Sequence, residues 1–77
     1  MPLLTETKPR KAKYGFKCQY AGSDILDIGV LVRETLGKPN GNGWWDEVTS
    51  NMGQVGYLIY FDDEALYELF KAANART

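Results

Sequence analysis

Histidine is absent from the 77-residue chain and Cys18 is its single cysteine. No Ser/His/Asp or Cys/His arrangement can therefore be assembled, and no histidine- or cysteine-rich metal site is available. No Gly-rich loop has the spacing that cradles a phosphate. The remaining reactive groups are acidic. Asp62, Asp63 and Glu64 stand together, and clustered carboxylates can hold a divalent cation or run acid–base chemistry. The same three residues also open an apolar helical pattern, where a helix start needs acceptors and negative charge, and this is the better account of them. Cys18 falls on the aromatic face of a strand-like stretch, which makes it a packed thiol rather than a nucleophile. The sequence thus reads as that of a non-catalytic protein without cofactor or metal, whose binding chemistry comes from aromatic and basic groups.

Trp44 and Trp45 are adjacent in a strand-like run, so they point to opposite faces, and if one enters the core the other is driven outward. An outward indole near Tyr14, Tyr20, Tyr57 or Tyr60, rimmed by Asp46 and Glu47, would make a rigid aromatic surface able to take a cationic or Pro-rich protein or peptide through cation–π contact and complementary charge. A second chemistry lies in the charge distribution. The net charge is −1, but residues 1–20 carry five basic side chains against Glu6, whereas residues 21–77 carry four against nine acidic ones. Lys8, Arg10, Lys11 and Lys13 could meet nucleic-acid phosphate, with aromatic side chains stacking on bases, against the repulsion of an acidic body. Nucleic acid is accordingly the alternative to a protein partner, and a homo-oligomer is left open.

These groups must be positioned by a small scaffold, because a chain of this length buries only about 60% of the surface it exposes when unfolded. The centre is a hairpin. Trp44 to Thr49 and Val55 to Phe61 form strands, and Ser50-Asn51-Met52-Gly53 between them tolerates the positive φ of a short reversal. Lys13 to Tyr20 alternates with period two, placing Tyr14, Phe16, Cys18 and Tyr20 on one face. Ala21 to Asp24 reads as a turn. From Ile25 to Leu36 two readings compete. A helix would have Ser23 as N-cap, a stripe of Ile25, Ile28, Val32 and Leu36, and Gly37 past its end. Gly29 in mid-segment and the run Val30-Leu31-Val32 favour a strand over 28–35 instead. Residues 37–43 form a Gly- and Asn-rich connection. The last element is a helix over 63–75, with Asp62 as N-cap, an apolar stripe of Leu66, Leu69, Phe70 and Ala73, a staple from Phe61 to Leu66, and a Glu68–Lys71 pair. Residues 1–12, with two prolines and no apolar periodicity, read as a flexible basic arm ahead of one domain over 13–77.

Gly43-Trp44-Trp45, an acidic strand, and then Gly53-Gln54-Val55-Gly56-Tyr57-Leu58 resemble the latter half of an SH3 domain. Gly29 to Val32, the tryptophan pair and Tyr60 to Asp63 are more faintly similar to PWWP and Tudor modules. The SH3 resemblance implies a small barrel in which Trp44 lines a peptide groove and Trp45 lies on the other side of the sheet. The expected fold is α+β, a small antiparallel sheet or SH3-like barrel with strands near 13–20, 28–35, 43–49 and 54–61 and a C-terminal helix. If Ile25–Leu36 is helical, the order becomes β-α-β-β-α. The apolar runs are too short to span a bilayer, no secretory signal is visible, and a lone cysteine fits a reducing compartment. A soluble, cytoplasmic protein is expected.

Overall fold

The computed structural model describes residues 3–18, 22–37 and 43–76. In chain order these form β1 (Thr5–Thr7), β2 (Tyr14–Cys18), a single 3-10 turn at Gly22–Asp24, α1 (Ile25–Leu36), β3 (Trp44–Asn51), β4 (Gln54–Phe61) and α2 (Glu64–Ala75). The strands make one antiparallel sheet in the order β1-β2-β4-β3. The fold is therefore the expected small α+β sheet with a C-terminal helix, but the sheet is open, with β1 at one edge and β3 at the other, and no barrel closes.

The hairpin forms where its sequence says it must. Asn51 pairs with Gln54 across Met52 (φ 54°) and Gly53 (φ 84°), and positive φ at both central residues is the geometry whose twist matches that of the flanking strands. Pairing of Trp44 with Phe61, Asp46 with Ile59 and Val48 with Tyr57 then sets the register. Because side chains alternate, Trp44, Phe16, Tyr57, Ile59 and Phe61 share one face. Onto that face pack Ile28, Leu31 and Val32 of α1 and Tyr67 and Phe70 of α2, closing one core with Leu4. Phe16 makes an edge contact with Phe61 at 6.0 Å and a tilted one with Phe70 at 5.1 Å, arrangements that aromatic quadrupoles favour.

Ile25–Leu36 is a helix, not the strand favoured over 28–35, and the magnitudes explain why. Gly29 costs about 1 kcal/mol relative to alanine. Burial of Ile28, Leu31 and Val32 returns about 1.5–3 kcal/mol for each side chain, so tertiary burial overrides local preference. The N-cap is Asp24 rather than Ser23, and its side chain makes no capping bond. Gly37 ends the helix with φ 79° and donates its N–H to Arg33 O at 3.0 Å.

α2 starts one residue later than expected. Its N-cap is Asp63, not Asp62, and Asp63 Oδ1 accepts from the N–H groups of Ala65 and Leu66 at 2.9 and 3.3 Å. Gly43 is the counterpart of that cap. Its carbonyl accepts from Asp62 N–H and Asp63 N–H, and with φ 100° a Cβ there would lie 2.8 Å from Asp63 Cβ, so only glycine fits. The buried face of α2 is Tyr67, Phe70 and Asn74 with Leu66 and Ala73 beside it, while Leu69, expected inside, is 51% exposed. Lys71 sits 5.6 Å from the Tyr67 ring centroid.

Within the expected arm over 1–12, Leu4 and the strand Thr5–Thr7 are part of the packed structure. Thr5–Thr7 pair with Lys17, Phe16 and Gly15. Leu4 is buried in the core, and the buried Asn74 side chain grips its peptide, Oδ1 accepting from Leu4 N–H at 3.1 Å and Nδ2 donating to Leu4 O at 2.9 Å. The polar strand Thr-Glu-Thr carries no apolar periodicity because burial comes from Leu4 ahead of it. Among the described residues no helix is long and apolar enough to cross a membrane.

Candidate functional site

β3 is the edge on which the aromatic and acidic candidates converge. With the hairpin closed by a two-residue turn, narrow and wide pairs alternate along it. The N–H and C=O groups of Trp44, Asp46, Val48 and Ser50 therefore point away from β4, along an edge that no strand among the described residues covers. Beside this edge α1 and β3 enclose a groove of about 270 Å³. Its walls are Ile25, Gly29, Val32 and Arg33 from the helix and Trp44, Asp46, Val48 and Tyr57 from the sheet. Three of the expected ligand-binding residues, Trp44, Asp46 and Tyr57, are thus brought together.

Their roles differ from those the sequence implied. Trp44 is 2% exposed, so it forms the base of the groove as a core residue, and the outward tryptophan is Trp45. Alternation separates the two indoles as expected, but the SH3-derived assignment of Trp44 to the ligand and Trp45 to the core is reversed. The physical reason is that Trp44 stands opposite Phe61, on the face that both helices cover. Tyr57 is buried, and its O–H donates to Asp46 Oδ2 at 2.7 Å. Burial first, then the hydrogen bond and charge of Asp46, push the phenol far above its ordinary range, so Tyr57 stays a neutral donor that orients the carboxylate. Asp46 itself is exposed at the rim, across the groove from Arg33.

Glu47 is on the opposite face of the sheet. There Trp45 and Tyr60 make a tilted ring pair at 5.4 Å. Glu47 accepts from Tyr60 O–H at 3.4 Å and pairs with Lys11 at 3.3 Å. Tyr60 is buried, which raises its phenol pKa together with the nearby Glu47 charge. The sequence reading placed Tyr60 among the tyrosines that could join an outward tryptophan, and the hairpin register sets it opposite Trp45 rather than Trp44. Tyr14 is half-buried and stacks on Tyr67 at 4.0 Å, with 12° between the planes, on the β2 side of the sheet and apart from the groove. Tyr20 lies outside the described residues.

Of the basic candidates, Lys11 is engaged by Glu47, while Lys8, Arg10 and Lys13 are exposed and no ion-pair partner of theirs occurs among the described residues. Cys18 is half-buried against the core. Asp63 is occupied as a cap and Asp62 accepts from Lys13 N–H at 3.1 Å. Among the described residues no group of three or more potential ligands could hold a metal ion. Comparison with protein-family models, curated proteins and solved structures finds no match to this chain, so the SH3 resemblance rests on Gly43–Leu58 alone.

Proposed function

We propose that this protein is a small non-catalytic binding module that takes an extended segment of a partner protein along the free edge of β3. The observation that carries the reading is the coincidence of a strand edge that no strand among the described residues covers with a side-chain groove directly beside it. Strand addition draws affinity from main-chain hydrogen bonds and specificity from a pocket for alternate side chains. A volume of about 270 Å³ suits one or two side chains, and falls below the range of cofactor pockets. Ile25, Val32 and Val48 favour an apolar residue, and the exposed Asp46 carboxylate favours a lysine or arginine next to it. A Pro-rich ligand suits the site less well, because proline supplies no N–H to an edge.

Selection of binders from a random peptide library of about ten residues, long enough to run the length of β3 at about 3.3 Å per residue, tests this. The expected result is a set of peptides pairing a basic with an apolar residue. Their binding is lost in Val48→Pro, which removes an edge N–H, and weakened in Asp46→Ala. Binders that are indifferent to both substitutions, or that require Trp45 and Tyr60, would move the function to the opposite face.

A further inference from the structure

A second cavity lies away from the β3 edge, between β1 and the start of β2. It has a volume of about 510 Å³ and is lined by Glu6, Thr7, Lys8, Lys13 and Tyr14. We infer that this pocket binds a nucleotide unit, its phosphate held by Lys8 and Lys13 and its base laid against Tyr14.

The composition of the pocket selects this ligand. Two lysines with no ion-pair partner among the described residues are free to meet phosphate, and the Thr7 hydroxyl adds a donor. Arg10, exposed in the same β1–β2 connection, extends the positive potential. Tyr14 lines the pocket whereas Tyr67, on which it stacks at 4.0 Å, does not. The ring offered to a ligand is therefore already held rigid from behind, which lowers the entropy cost of stacking a base on it. Glu6 rejects bare phosphate as a sufficient ligand. One of its carboxylate oxygens accepts from Tyr67 O–H at 2.8 Å, and the other is left as an acceptor that suits the amino edge of cytosine, adenine or guanine. The volume falls within the range of ligand pockets of drug or nucleotide size. This site shares no residue with the β3 groove, and neither depends on the other.

Fluorescence anisotropy of the full chain with a labelled mixed-sequence single strand of about ten nucleotides tests the proposal, with a mononucleotide and inorganic phosphate as separate competitors. Lys8→Ala/Lys13→Ala, both exposed positions, is expected to reduce the slope of log K against log salt by about 1.4, at about 0.7 per lost contact. Tyr14→Leu is expected to weaken binding at least about fivefold at constant charge, and Tyr14→Phe to restore it. Thermal melts establish that each variant is folded before it is compared. Competition by the mononucleotide identifies a free nucleotide as a sufficient ligand, whereas competition by unlabelled strand alone identifies single-stranded nucleic acid. Four results would overturn the proposal: no binding at low salt, full competition by phosphate, an unchanged affinity in folded Tyr14→Leu, or an equal loss in Lys17→Ala/Arg33→Ala, which removes the same charge elsewhere.

Discussion

α1 and α2 are both twelve residues long and pack on the same sheet face, yet they are held there by different means. α2 is fixed at both ends by specific bonds. Asp63 caps its first turn, Gly43 receives the N–H groups before it, and Asn74 in its last turn clamps the peptide of Leu4. α1 has no side-chain capping bond, carries Gly29 at its middle, and leaves Leu26 77% and Val30 54% exposed. Its place is set by burial of Ile28, Leu31 and Val32. Directional bonds specify α2, whereas non-directional packing specifies α1, and the groove lies against the less constrained helix. A wall of that kind can adjust to a side chain entering the groove without loss of a specific hydrogen bond.

The sharpest way to break this contrast is to remove the base on which α1 packs. Trp44→Ala is expected to cost about 3–5 kcal/mol and to unfold much of so small a protein. Trp45→Ala, which loses a half-buried partner of Tyr60, is expected to cost about 0.5–1.5 kcal/mol. Chemical denaturation of the two variants checks the order, and equal losses would mean that both indoles are core. Next in size is the α2 clamp. Asn74→Ala leaves the N–H and C=O of Leu4 without their side-chain partner, an expected loss of about 1–3 kcal/mol, with faster amide exchange across Leu4–Thr7. Asp63→Ala should cost about 1 kcal/mol and Asp24→Ala under about 0.5 kcal/mol, since only the first removes a capping bond. One effect has the opposite sign. A Cβ on Gly29 meets nothing within 4 Å, so Gly29→Ala is expected to stabilise α1 by about 0.5–1 kcal/mol, seen as a rise in thermal midpoint.

The same contrast explains what could be read in the sequence. α2 announces itself through Asp63, Glu64 and the apolar stripe, and the hairpin through Met52-Gly53 between β-forming runs, because both signals are local. α1 does not, because Gly29 and Val30-Leu31-Val32 argue for a strand until the burial supplied by Trp44 and the sheet is counted. Leu69 and Tyr67 exchange roles for a related reason. Tyr67 buries its ring against Phe16 and Phe61 while its hydroxyl reaches Glu6, and apolar periodicity does not weigh such an amphipathic side chain. Alternation separates Trp44 from Trp45, but which of them faces inward depends on the face that receives the helices, a long-range fact. The candidate site was half legible for the same reason. Trp44, Asp46 and Tyr57 do share a groove, whereas its other wall comes from the helix that local preference missed.

The claim that β3 presents a binding edge is tested most directly by amide hydrogen exchange on the full chain, with and without a library-selected peptide. Strand addition should slow exchange at Asp46, Val48 and Ser50, whose N–H groups point away from β4, and leave Trp45, Glu47 and Thr49, already bonded within the hairpin, nearly unchanged. Protection confined to the opposite sheet face around Trp45 and Tyr60, or to the β1–β2 connection, with the edge amides of β3 unaffected, would contradict it.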